Sequence, residues 1–235
     1  MADLANLRIE GTQAIVAIAE KFEGASRRGE QKVTIFDRSK GQELESFGKV
    51  RKSKGGAEFV YLLPAALFDA AAHDVEMRSA LWEGELHASL VPRDEHGAPI
   101  KTVPVDESKR DAKRIAGRVE YFDGEIIKGW AYDTLQANNR AKVEIFIDNV
   151  RFAIVTADER RMDLIRRRIG DGRCGFFKTA PSAVLDGKRH VIACIASPTR
   201  TLLEDGIIDL DPLELRKFVI KEIVWRINKV ESLLE

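Results

Sequence analysis

The chain has 235 residues, and its 38 Lys and Arg balance 38 Asp and Glu to a formal net charge of zero. This balance excludes a chain-wide positive field of the kind that attracts nucleic acid or a membrane surface. With 44% hydrophobic and 32% charged residues, the composition is that of a globular protein with room for one large domain or two smaller ones.

We expect no targeting signal at the beginning of the chain. Its apolar run "AIVAIA" ends at Glu20 after six residues, too short for the core of a signal peptide. No apolar run approaches the roughly 20 residues that a membrane helix needs. We therefore expect a cytoplasmic protein without membrane insertion. Cys174 and Cys194 do not make a disulfide framework, and we expect buried free thiols unless their strands are neighbours.

Two stretches of the chain are repeated. "QKVTIF" at 31–36 matches "AKVEIF" at 141–146, and "GGAEFVYLLPAALFD" at 55–69 matches "GRCGFFKTAPSAVLD" at 172–186. Self-similarity in this order indicates a tandem duplication of one structural unit.

Each copy has the pattern of β-strands. Val33 and Ile35 alternate with polar residues, and in "GWAYD" at 129–133 the residues Trp130 and Tyr132 share one face. Short strands bounded by turn signals, without long helices, favour a mainly β fold of two tandem small antiparallel β-sandwich modules. We predict a degenerate module at 1–92, a linker at 93–114, a second module at 115–200 and a C-terminal amphipathic helix at 201–235.

One segment of the second copy, "ADERRMDLIRRRIGDG", is helical in pattern. Asp158 is placed to cap a short helix, whose apolar side is Met162, Leu164, Ile165 and Ile169.

The C-terminus also predicts a helix, which "DPLE" at 211–214 begins with an Asp cap and a proline in the first turn. An apolar seam then recurs at spacings of three and four: Ile220, Ile223, Ile227, Val230 and Leu234. β-Branched residues along such a seam favour a homo-oligomeric coiled coil of three or four chains over a dimer. The alternative is that Phe218, Val219 and Trp225 dock the helix onto a sandwich.

The second copy resembles a known kind of module over residues 115–197. The matching motifs are "GWAYD" at 129–133, "KVEIFID" at 142–148, "RRMDLIRRRIGDGRCGF" at 160–176 and "PSAVLDGKRHVI" at 181–192. It is similar to small β-sandwich domains of bacterial polysaccharide-biosynthesis proteins, often appended to glycosyltransferases. The resemblance implies an accessory role in polysaccharide assembly and brings no catalytic residues with it.

Asp186 and His190 have the spacing of half a catalytic triad. Because Asp69 and His73 repeat that spacing in the first copy, and no nucleophile has a recognisable setting, we interpret both pairs as structural. No metal motif is present either: the chain has no CxxC and no HExxH, and Asp211 is explained as a helix cap. We expect no catalytic site, no metal and no cofactor.

The second copy is longer than the first at its arginine-rich part. Phe36 and Phe59 are 23 positions apart, whereas Phe146 and Phe176 are 30 apart. An insertion in one repeat is typical of a functional face. The candidate ligand-binding residues are Arg160, Arg161, Arg166, Arg167, Arg168 and Arg173, together with Trp130 and Tyr132. With Tyr121, these two aromatic residues are a candidate stacking platform for a sugar ring.

Guanidinium groups bind carboxylate or phosphate in a fork, which suits an acidic glycan, a lipid-linked sugar phosphate or an acidic protein partner. The competing interpretations are a solvated helix face for the arginines and a core position for Trp130. Nucleic acid is not expected, because no aromatic residues interleave with the arginines. The sequence favours a non-catalytic accessory module that binds a glycan or a protein, or alternatively a structural oligomer that the sandwiches decorate.

Overall fold

A computed structural model describes residues 6–18, 31–53, 56–79, 85–100, 114–136, 139–213, 216, 220 and 224. The chain divides into two compact units, made of residues 1–103 with 148–150 and of residues 104–147 with 151–235. We call these the N-terminal unit and the C-terminal unit. Both are built from strands, so the fold is mainly β, as predicted. Within the described residues, we find no helix whose length and apolar character would let it cross a membrane.

The N-terminal unit is a seven-stranded antiparallel sheet in the order β1-β2-β5-β4-β3-β6-β7. Its strands are β1 (Asn6–Glu10), β2 (Gln13–Ile18), β3 (Gln31–Asp37), β4 (Gln42–Ser53), β5 (Gly56–Leu62), β6 (His73–Arg78) and β7 (Leu86–Leu90). Val33, Ile35 and Asp37 alternate inward along β3, the period expected of a half-buried strand. Cα atoms of β1 and β7 approach within 8 Å, so the sheet curls towards closure.

The C-terminal unit is an eight-stranded sheet in the order β11-β10-β14-β15-β8-β9-β13-β12. Its strands are β8 (Ile115–Phe122), β9 (Ile126–Asp133), β10 (Lys142–Ile147), β11 (Val150–Thr156), β12 (Glu159–Arg160), β13 (Arg173–Thr179), β14 (His190–Ser197) and β15 (Thr201–Leu210). The two halves of the sheet pack on one core, which Ile127 and Ala131 of one half share with Ile145 and Cys194 of the other, an arrangement consistent with a sandwich or a barrel.

One pairing in this unit corrects the expectation of a purely antiparallel sheet. β15 runs parallel to β8 and meets it at Glu204 and Arg118. Beside this contact, Asp205 has a φ of +51° and the pairing of β15 with β14 shifts register, as at a β-bulge.

The two units have the same circular order of strands. Strands β1 to β7 correspond in order to β8, β9, β10, β11, β13, β14 and β15, whereas β12 has no counterpart. Corresponding strands have the same neighbours in the two units, except where each sheet is open. The N-terminal sheet is open between β7 and β1, whereas the C-terminal sheet is open between β11 and β12. This second opening coincides with the arginine-rich insertion.

The predicted linker begins with an ordered turn. Arg93 pairs with Pro99, and the carboxylate of Asp94 accepts hydrogen bonds from the backbone N–H groups of His96 and Ala98 at 3.0 and 2.8 Å. Residues 101–113 of the linker lie outside the described residues.

Most of the predicted C-terminal seam also lies outside the described residues, namely Ile223, Ile227, Val230 and Leu234. Ile220 is described, and its side chain is exposed. The C-terminal helix and its coiled coil therefore stay predictions.

Candidate functional site

Both repeated Asp and His pairs lie at the same place in their units. A proline, Pro64 or Pro181, precedes a short 3-10 turn that ends at the Asp, and the His begins the next strand. In each copy, the Asp carboxylate accepts a hydrogen bond from the backbone N–H two residues later, at 2.9 Å for Asp69 and 2.8 Å for Asp186. The two aspartates thus hold one kind of turn.

His73 is fully buried between two carboxylates. Its Nδ1 lies 2.7 Å from Asp37 Oδ2 and its Nε2 lies 2.8 Å from Asp69 Oδ1. Asp37 is only 1% exposed, while Asp69 also pairs with Lys40. A ring that donates to a carboxylate from both nitrogens is an imidazolium, so neither nitrogen is left to accept a proton from a nucleophile.

The charges of this network depend on pH. Burial lowers the pKa of His73, but the hydrogen bonds and charges of Asp69 and Asp37 outweigh it and raise the pKa above its ordinary value. Burial raises the pKa of Asp69, but hydrogen bonds from His73, Lys40 and Ala71 bring it well below its ordinary range. The contribution of His73 to stability is therefore complete below about pH 6.5 and is lost as the pH rises through its raised pKa. The contribution of Asp69 to stability is complete above about pH 4 and is lost as the pH falls through the lowered pKa of this carboxyl group.

The second pair is looser. His190 Nε2 lies 3.0 Å from Asp186 Oδ1, and the side chain of Asp186 is 35% exposed. The position of Asp37 is occupied by Ile147 in the matching strand, so the second copy lacks the buried carboxylate. The Asp and His pairs in both units are explained by the turn that they stabilise.

The two cysteines are poorly suited to act as nucleophiles. Burial raises the pKa of the Cys194 thiol to about 12 and also raises that of Cys174 above its ordinary value. The thiolate is the reactive form, so both groups are unreactive at neutral pH.

Glu76, Glu85 and His87 bring potential ligand atoms within 4.8 Å of one another in the N-terminal unit. Arg38 Nε donates to Glu76 Oε2 at 2.8 Å, and Arg78 donates to the other carboxylate oxygen. A cation would have to displace both guanidinium groups, so we interpret this cluster as an ion-pair network.

The arginine-rich insertion of the C-terminal unit begins with β12 and continues in a short helix, α1 (Met162–Arg166). The prediction that Asp158 caps this helix is wrong: the cap residue is Arg161, without a side-chain cap bond, because the chain is still extended at 159–160. The predicted apolar side is only partly correct. Leu164 is buried and Ile169 packs beside it, whereas Met162 and Ile165 are exposed.

Ion pairs fix both ends of the insertion. At its start, Arg161 pairs with Glu120 of β8 and with Asp163. At its end, Arg140 donates two hydrogen bonds, of 2.9 and 2.7 Å, to the carboxylate of Asp171. These bonds lower the pKa of Asp171 to about 2. Asp163 and Asp171 are thus paired with Arg161 and Arg140.

The remaining arginines face the solvent. Arg160, Arg166, Arg167, Arg168 and Arg173 are exposed, and within the described part of the chain none of them makes a side-chain ion pair. Three of them are consecutive. Arg168 has a φ of +56°, and Gly170 and Gly172 follow with +53° and +76°, so this tight turn presents the arginines at the end of α1.

Trp130 and Tyr132 do share one face of β9, as predicted, and it is the outer face rather than the sandwich core. Trp130 is 9% exposed and packs with Leu164 and Cys174 beneath α1. Its ring centre lies 6.0 Å from that of Tyr132. The ring of Trp130 is therefore covered by the insertion rather than offered as a stacking platform.

A second part of the same face is uncovered, and of its residues only Tyr121 was predicted to belong to a stacking platform. Tyr121 of β8, Lys128 of β9 and Phe177 of β13 lie directly opposite one another across three neighbouring strands. Tyr121 is 51% exposed and Phe177 is 56% exposed. We call these three residues the open row. The signal was an aromatic residue, Tyr121 or Phe177, on the outer face of β8 and of β13, but their alignment with Lys128 appears only when the register of the strands is known.

In comparisons with known proteins, no family model and no curated protein matches this chain.

Proposed function

We propose that the chain is a non-catalytic accessory protein of bacterial polysaccharide assembly that binds an acidic glycan through Arg166, Arg167 and Arg168. The observation that carries the proposal is the state of these three guanidinium groups. They are exposed, consecutive and without an ion pair among the described residues, while the nearby Asp163 and Asp171 pair with other arginines. Such groups are available for the carboxylates of a ligand.

We further propose that the two units are copies of one sandwich module with divided roles. Support comes from their shared circular order of strands and from the repeated proline, turn, Asp and His. In this proposal the N-terminal copy keeps a buried charge network around His73. The C-terminal copy has Ile147 in place of the inner carboxylate and carries the arginine insertion on its surface. The proposed location is the cytoplasm.

The proposed contact is tested by replacing Arg166, Arg167 and Arg168 with Ser. We expect retention on immobilised polygalacturonate to weaken by about tenfold or more, because three charge-assisted contacts are lost. The parent protein should also elute earlier as salt is raised, since the charges are exposed. Chromatography on a column of immobilised polygalacturonate, run at several salt concentrations, gives the measurement.

The matched control removes three positive charges elsewhere, by replacing the exposed Lys32, Lys49 and Lys188 with Ser. It should be retained like the parent protein. Equal weakening in both variants would show that only net charge matters, and unchanged retention of the arginine variant would overturn the proposed contact.

A further inference from the structure

The outer face of β8, β9 and β13 has a covered half and an open half. α1 covers Trp130 in one half, and the open row of Tyr121, Lys128 and Phe177 occupies the other. Exposed aromatic residues on a sheet face are costly unless something covers them or uses them, because their apolar area stays in water. The open row is therefore the strongest unexplained feature of this unit.

The geometry of the open row suits a chain of sugar rings. Neighbouring strands lie about 4.8 Å apart, which places the Tyr121 and Phe177 positions roughly 10 Å apart with Lys128 midway. Aromatic faces bury the apolar face of a pyranose, and an ammonium group binds a carboxylate on the ring between them. Lys128 makes no ion pair within the described residues, so its charge is available.

The open row adjoins the arginine insertion directly. Arg161 pairs with Glu120, the residue before Tyr121. The Arg161 side chain also crosses β13 at Gly175, where an added Cβ would lie 2.9 Å from Arg161 Cδ. Gly175 is two residues before Phe177. A ligand laid along the open row thus reaches the beginning of the insertion on the same face.

Carboxylates also border the row. Asp123 and Glu125 lie in the turn between β8 and β9, and Glu159 is paired opposite Gly175. The hydroxyl groups of a sugar donate hydrogen bonds to carboxylates, so these residues add polar contacts for a glycan laid along the row.

We propose that the open row is the sugar-stacking platform of an extended site for a uronic-acid glycan, with Tyr121 and Phe177 under the rings and Lys128 on a carboxylate. This inference rests on the proposed function, since it adds a second contact region to the glycan that the exposed arginines bind.

The test compares Phe177→Ala, Lys128→Ser and the triple arginine variant in the full-length protein. The probes are polygalacturonate, alginate and hyaluronate, with dextran as a neutral glycan and oligo-dT as single-stranded DNA. We expect Phe177→Ala to weaken binding of the best uronic-acid probe by about tenfold, as is usual for an aromatic residue at the centre of a contact. The matched control is Phe47→Ala in the N-terminal unit, an aromatic residue of similar exposure on a strand, and it should bind like the parent protein.

The outcomes separate the two proposals. If the triple arginine variant loses binding while Phe177→Ala and Lys128→Ser do not, the platform is overturned and the arginine contact stands. If the two row variants lose binding while the arginine variant does not, the arginine contact is overturned. Binding of oligo-dT in preference to the glycans, with the same loss in Phe177→Ala, would overturn the choice of ligand. Retention of the parent protein by none of the three uronic-acid probes would overturn both proposals.

Discussion

Replacing His73 with Leu is expected to lower the free energy of unfolding of the N-terminal unit by about 3–5 kcal/mol. The substitution removes the imidazole that pairs with the Asp37 carboxylate, and Asp37 is 1% exposed. An unpaired buried charge is among the most destabilising changes that a single substitution makes. Urea unfolding at pH 6, where the parent His73 is protonated, measures the loss.

His190→Leu is the matched control, because it removes the equivalent histidine of the second copy. Its partner Asp186 is partly exposed and can be hydrated, so we expect a much smaller loss. The gap between the parent protein and His73→Leu should narrow as the pH is raised from 6 to 9, since the parent network then loses its imidazolium charge. Equal losses in the two variants, or a gap that does not depend on pH, would contradict the structural role of this network.

A compensating variant sharpens the test. Because Ile147 stands where Asp37 stands in the first copy, combining Asp37→Ile with His73→Leu removes both charges and fills the space with apolar groups. Replacing a buried ion pair by apolar residues of similar volume is often neutral. The double variant should therefore recover most of the stability that His73→Leu alone loses.

Leu164→Ala is expected to have the second largest effect, a local loss of about 2–5 kcal/mol. Leu164 is fully buried and is the apolar contact that holds α1 on Trp130. The Trp130 Nε1 group has no hydrogen-bond partner among the described residues, so the contact between α1 and the Trp130 ring is apolar. With Trp82 and Trp225 replaced by Phe, emission from Trp130 should shift to longer wavelength as water reaches the indole.

Met162→Ala is the control within the same helix, because the Met162 side chain is exposed. It should leave the emission of Trp130 unchanged. If Leu164→Ala also leaves the emission unchanged, α1 is not held by this contact.

The strands of the repeated segments could be predicted because their signals are local. Alternation at Val33 and Ile35 fixes a half-buried strand without knowledge of its neighbours. The shared face of Trp130 and Tyr132 follows from the same period of two. The period does not tell which face of β9 points to the core, because that depends on the elements that cover each face. In the structure, Trp130 lies beneath α1 and not in the core between the two halves of the sheet.

The open row shows the limit of single-sequence reasoning most clearly. Tyr121 and Phe177 are 56 positions apart, and only the pairing of β8, β9 and β13 brings them into line. The parallel contact of β15 with β8 is equally non-local, since it pairs Glu204 with the distant Arg118. Register between distant strands is set by the whole sheet, so a local pattern does not contain it.

Amide hydrogen exchange with and without polygalacturonate tests the central claim, that one face of the C-terminal unit binds an acidic glycan. We expect slower exchange on binding in β8, β9, β13 and the insertion at 160–173, and unchanged exchange in the strands of the N-terminal unit. Protection centred on the N-terminal strands, or no change anywhere at saturating polysaccharide, would contradict the claim.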